Sequence, residues 1–152
     1  MVITGGCHCG NTSFELTWEP APNEIPARAC GCSFCAKHRG VWTSNPGGVL
    51  RVSVGQPSLV SSYFFGTRTA RFHVCARCGV VPLVTSLLDE HLYAVVNVNA
   101  FDNVAPSLLR PVPVSFEGED VETRLARRRR NWIADVRLVE RGAAAGNPDC
   151  AD

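Results

Sequence analysis

Apolar and polar positions alternate along much of the chain. Phe14, Leu16 and Trp18 alternate with polar partners, as do Leu50, Val52 and Val54, and then Phe72 and Val74. A two-residue period puts every second side chain on one face, so these segments are predicted as half-buried strands. Residues 59–65, 80–86 and 92–98 are further runs rich in β-branched and apolar residues. Gly and Pro interrupt the pattern at 19–26, 45–48, 55–57 and 105–113, where turns are predicted. Short strands separated by turns predict a mainly β domain built of curled sheets.

From residue 117 onward the pattern changes. Glu117, Glu119, Asp120 and Glu122 precede Arg124 and the run Arg127, Arg128, Arg129, Arg130, an acid-first, base-last order that suits a helix dipole. Leu125, Trp132, Val136 and Val139 fall on one stripe of a helical wheel. Trp132, Ala134, Val136 and Leu138 also alternate as a strand would, so both readings stand over the second half. The chain is read as a domain over 1–116 and a helical or mixed extension over 117–152, whose last ten or so small and polar residues are expected to fray.

With 152 residues, 45% of them hydrophobic and 19% charged, the chain forms one domain with a real core, which excludes disorder for most of its length. A net charge of +1 supplies no field to draw in nucleic acid or a membrane surface. No apolar run approaches the ~18 residues a membrane span needs. The opening stretch MVITGGCH has no basic segment, apolar core or cleavage signal, so a cytoplasmic location is expected.

The eight cysteines add most to this picture. Seven fall in three tight groups, Cys7 and Cys9, then Cys30, Cys32 and Cys35, then Cys75 and Cys78, with Cys150 alone in the tail. Clusters spaced by one or two residues bridge poorly within themselves, and in a reducing compartment such spacing points to metal. Cys75-Ala-Arg-Cys78-Gly79 is a knuckle in which Gly79 lets the backbone curl toward an ion. Cys7 and Cys9 offer two sulfurs on one side of an extended segment. Each pair fills half a tetrahedral site, and together they make a closed four-thiolate Zn²⁺ site. Cys30, Cys32 and Cys35 supply three thiolates and leave a fourth corner open, the pattern of a catalytic zinc. Zn²⁺ with three thiolates carries a charge of −1 and suits a soft fourth ligand such as a substrate sulfur.

The series Gly5-Gly6-Cys7-His8-Cys9-Gly10, Cys30-Gly31-Cys32-Ser33-Phe34-Cys35 and Cys75-Ala-Arg-Cys78-Gly79 resembles the glutathione-dependent formaldehyde-activating enzyme family, also called the centromere-protein-V-like family. The resemblance covers roughly residues 2–116. It implies an Mss-type fold of several coiled β-sheets with two zinc ions per chain, a structural one on Cys7, Cys9, Cys75 and Cys78 and a catalytic one on Cys30, Cys32 and Cys35. It also implies the family's named activity, the joining of formaldehyde and glutathione, formally a carbon–sulfur lyase in reverse.

A glutathione-like thiol has carboxylates that want cations, and Lys37 and Arg39 are nearest the middle cysteines in sequence. Trp42, seven residues after Cys35, and Asn99, at a strand end with Asn97 and Asp102, complete the expected substrate contacts. His8 is expected to face away from the metal, and His38 to remain outside the three-thiolate set. His73 and His91 are read as ordinary strand or surface histidines. The arginine run is read as a solvated helix or partner contact, because four consecutive arginines point all round a helix axis and eight acids offset the seven arginines of 117–152. A small thiol or aldehyde is the expected partner, nucleic acid and membrane are not, and a homodimer is left open. A zinc-stabilised binding module and a thiol redox sensor are the rival readings.

Overall fold

The computed structural model describes residues 1–140. The expected fraying of 142–152 and the position of Cys150 lie outside the described residues. In chain order the elements are β1 (Val2–Gly6), β2 (Thr12–Thr17), β3 (Ile25–Cys30), α1 (Ser33–His38), β4 (Val41–Thr43) and β5 (Val49–Val54). Then come β6 (Val60–Tyr63), β7 (Arg71–Cys75), β8 (Leu83–Leu88), β9 (His91–Asn97), β10 (Leu109–Val114), α2 (Val121–Asn131) and β11 (Asp135–Glu140). The protein is mainly β, as its alternation predicts.

Two sheets share the strands. One runs β1-β2-β5-β11 and the other β10-β3-β4-β9-β8-β7-β6. Two pairings are parallel, β10 with β3 and β11 with β5. Alternation then sorts the side chains. Leu83, Ala94 and Val96 of the larger sheet pack with Ile3, Phe14, Leu16, Leu50 and Val52 of the smaller one, forming the main core. Their neighbours Val84 and Val95 point to the other face, where they join Phe72, Trp42, Cys35 and Trp132 in a second cluster. Burial on both faces explains why β8 reads as an almost continuous buried run instead of an alternating one.

Two sequence expectations change here. The interval 105–113 is not only a turn: β10 carries Pro111 and Pro113 as an edge strand, where a missing N–H costs no ladder bond on the open side. The ambiguity after 117 resolves into both readings in succession. Residues 121–131 are helical, Asp120 accepts from the Thr123 N–H as N-cap at 2.8 Å, and the alternation at Val136 and Leu138 belongs to β11. Val139 is exposed, so the helical stripe drawn through it does not exist.

The segment beyond 117 is joined to the rest by more than its strand. Ile133 is fully buried and exchanges two backbone hydrogen bonds with Ala94, at 2.9 and 3.0 Å. Ile133→Val should therefore lower the stability of the whole chain by about 1 kcal/mol, in one cooperative urea transition. A separate early transition for the C-terminal segment would contradict this.

Candidate metal centres

The ends of β1 and β7 bring the first and third cysteine groups together. The sulfurs of Cys7, Cys9, Cys75 and Cys78 all lie within 4.8 Å of one another. Cys7 to Cys9 is 3.7 Å and Cys9 to Cys75 is 3.4 Å. A tetrahedron with Zn–S arms of about 2.3 Å has S···S edges of about 3.8 Å, so this spacing suits a shared ion. It is far too long for a disulfide, and all seven described cysteines are free.

The expected extended Cys7–Cys9 segment is corrected. The strand ends at Gly6, and the chain turns so that the Gly10 N–H donates to the Cys7 carbonyl at 2.9 Å, with Gly10 in the left-handed region at φ 73°. Gly79, at φ 77°, repeats this turn by donating to the Cys75 carbonyl at 2.8 Å. A curled backbone presents both sulfurs inward, which a flat strand does less well. His8 is exposed between them.

Without a cation, these thiols cannot all ionise at once. Burial pushes Cys7 up to about 12 and also raises Cys75. Burial opposes ionisation of Cys78 too, but backbone N–H donors at Val80 and Cys9 and the neighbouring thiols bring it down to about 6. A divalent ion removes this conflict, because it favours the thiolate at every position.

The middle group sits where β3 meets α1. Cys30, Cys32 and Cys35 form a second group of sulfurs within 4.8 Å. Cys32 is the N-cap of α1, its sulfur accepting the Cys35 N–H at 3.4 Å. The Trp42 indole Nε1 donates to the Cys35 sulfur at 3.3 Å. Cys35 donates to Cys30, which holds Cys30 down at about 5 and pushes Cys35 up. The donor set is soft, compact and oriented by N–H groups, and it fits zinc with one corner left over.

All three cysteines line a cavity of about 450 Å³. Trp42, Phe65, Phe72 and Trp132 give it an aromatic wall, with Val84 and Val95 beneath. Its cations are Arg28, Arg124, Arg127 and Arg128. Lys37 and Arg39 are exposed and do not line it, nor does Asn99, which donates to the Arg39 carbonyl at 2.8 Å and ties the segment after β9 to the end of α1. Trp42 does line it. His38 bonds the Phe34 carbonyl and is not among the grouped metal-binding side chains of the described residues. His73 is buried against Thr85.

The arginine run is therefore only half solvated. Arg129 and Arg130 are exposed, whereas Arg128 is 6% exposed and Arg127 is partly buried. Arg127 grips Glu119 with two hydrogen bonds, at 2.8 and 2.9 Å, and lies 3.6 Å over the Phe116 ring. That grip holds the Glu119 carboxyl below its usual range. Burial, and then the nearby Arg127 charge, lowers Arg28. Helical spacing of 124, 127 and 128 is the signal that could have grouped these arginines. Nothing local connects them to Arg28.

A family sequence model described as glutathione-dependent formaldehyde-activating enzyme matches residues 2–118. The chain belongs to this family. A Rhodobacter sphaeroides protein of known crystal structure is 32% identical, with a TM-score of 0.56, over 72% of this chain and 97% of its own. All seven grouped cysteines fall within the matched residues, whereas Arg124, Arg127, Arg128 and Trp132 lie beyond them. Among the described residues no helix is long and apolar enough to cross a membrane.

Proposed function

We propose that the protein is a zinc-dependent enzyme of the carbon–sulfur lyase type, acting on the adduct of a glutathione-like thiol with a small aldehyde such as formaldehyde. The observation that carries this reading is the division of seven sulfurs into a closed group of four and an open group of three that faces a cavity. Zinc on Cys30, Cys32 and Cys35 would supply a Lewis acid with one position for a soft ligand. The reaction forms one carbon–sulfur bond, with the thiol proton ending on the former carbonyl oxygen, and needs no redox partner.

The chain's own residues would do the rest. The Trp42 indole N–H and the Cys35 backbone N–H fix two of the sulfurs in place. The aromatic wall would hold the two reactants together, the main advantage in a two-body condensation. The closed group of four has no free position and is assigned to folding.

Freshly purified protein should contain two zinc ions per chain by elemental analysis. Glutathione titrated into it should bind at, or extract, the metal of the open group, while the S-methyl analogue, which offers no thiolate, binds much more weakly. Equal binding of the two followed by heat and zinc release would remove sulfur chemistry from the cavity. One zinc or fewer would remove the two-site assignment.

A further inference from the structure

The cavity wall holds more positive charge than its own contacts use. Four guanidinium groups line it, against Glu117 in the lining and Glu119 paired to Arg127. Arg28 donates from Nη2 to Ser44 at 2.7 Å, and its other nitrogens have no acceptor among the described residues. Arg127 spends Nε and Nη2 on Glu119, which leaves Nη1 without one. Arg124 gives Nη2 to the Phe116 and Glu119 carbonyls and its Nε lies 3.7 Å from the Glu119 carboxylate, and Arg128 is taken up by Thr69 and Ser86, so the free donors belong to Arg28 and Arg127. Buried donors normally find acceptors, and a surplus of them around an empty space points to an anionic ligand. Beside these cations Trp42, Phe65, Phe72, Val84, Val95 and Trp132 form an apolar stretch of the wall that suits an apolar body, with Ser33, Thr67 and Ser115 as the neutral polar side chains of the lining.

We infer that the cavity is a subsite for an oxyanion carried on an apolar body: a small thiol or aldehyde bearing a carboxylate or phosphate, whose anionic end is taken by Arg28 and Arg127 and whose sulfur or carbonyl end reaches Cys30, Cys32 and Cys35. This rests on the thiol–aldehyde reading and narrows its substrate class. Glutathione carries carboxylates too, and the apolar stretch formed by Phe72 and Trp132 favours a less polar body over its peptide amides. Arg28 lies within the residues matched to the family and Arg127 beyond them, so the C-terminal segment supplies one of the two guanidiniums.

The experiment titrates the zinc-loaded full chain with 4-(mercaptomethyl)benzoate, whose carboxylate and thiol lie at opposite ends of the ring, its methyl ester and its S-methyl thioether. Binding is followed by heat and by the fluorescence of Trp42 and Trp132. The acid should bind roughly tenfold or more tighter than the ester, as expected for a charged hydrogen-bonded group, and the advantage should shrink at high salt. Arg127→Gln should reduce that advantage to about twofold without changing ester binding. Arg28→Gln, whose only side-chain partner is Ser44, gives the same reading if Arg127→Gln fails to fold. Arg129→Gln, paired with Asp89 outside the cavity, should leave it intact. Acid and ester binding equally would overturn the inference, and if the thioether then binds weakly the thiol reading survives it. The reverse pattern, acid above ester with the thioether equal to the acid, upholds the oxyanion subsite and removes the thiol reading. Benzoate against phenyl phosphate ranks the two oxyanions, and binding of neither overturns the subsite.

Discussion

Cys7→Ser or Cys78→Ser should yield insoluble or poorly folded protein, while Cys32→Ser folds nearly normally with one zinc fewer and no turnover. The difference follows from what each group joins. Cys7 directly follows a strand of the four-stranded sheet and Cys75 ends a strand of the seven-stranded sheet, so an ion shared by Cys7, Cys9, Cys75 and Cys78 would tie the two sheets together. It closes a loop of 66 residues between Cys9 and Cys75. Structural zinc can contribute on the order of 10 kcal/mol to folding, as much as the whole stability of an ordinary domain. Removing one thiolate from such a site also leaves three clustered sulfurs, Cys75 among them buried, in mutual conflict.

Cys32 has a different setting. It is half-buried at the start of a one-and-a-half-turn helix, and the strands on either side of it are paired independently. Serine there keeps an N-cap acceptor, and Ser is among the preferred N-cap residues, so the fold should lose no more than about 1 kcal/mol. Solubility, thermal melting and zinc content of the three variants check this. A Cys32→Ser protein that unfolds beside a normal Cys78→Ser protein would invert the two sites.

How much of this was legible depended on whether the signal was local. The cysteine groups are local in spacing, so both clusters could be read before any fold was known. Strands β2, β5, β7 and β9 were legible because one or both faces are apolar. β1, β3 and β10 were not, since Gly5 and Gly6 carry no side chain to show alternation and Pro26, Pro111 and Pro113 fall in segments read as turns, while the ladder that accommodates them is a property of the sheet. The helical and strand patterns after 117 were both present, and sequence position alone could not divide them at Asn131. The cavity was illegible for a further reason. Arg28 and Arg127 are about a hundred residues apart, and only the docking of α2 over the face of β8 and β9 makes them neighbours. Lys37 and Arg39 were near the cysteines in sequence, but α1 carries both to solvent.

That docking has its own test, because it turns on one charged side chain. Arg128→Ala should lower stability by about 2–4 kcal/mol, the range for breaking a buried, hydrogen-bonded charge. The Arg128 Nη1 donates to the Thr69 carbonyl at 2.9 Å, the Thr69 hydroxyl at 2.8 Å and the Ser86 hydroxyl at 3.1 Å. Its guanidinium lies 5.0 Å from the Trp132 ring centroid. Burial, and then Arg124 and Arg127, lower its pKa to about 10 against the pull of Glu119, so it is still charged at neutral pH. Two effects oppose each other on truncation. Repulsion from Arg124 and Arg127 is relieved, and water from the adjoining cavity can enter the space, both of which soften the loss. Three charge-assisted hydrogen bonds and the packed stem are lost, however, and Glu119 already offsets part of the repulsion, so the loss should win. Arg129→Ala on the same helix is the control: its pair with Asp89 is exposed and should contribute well under 1 kcal/mol. Urea denaturation gives the stabilities, and amide hydrogen exchange should show the added opening concentrated in 121–140. Equal effects of the two substitutions would mean that α2 is held by its apolar contacts, with the buried guanidinium contributing nothing net.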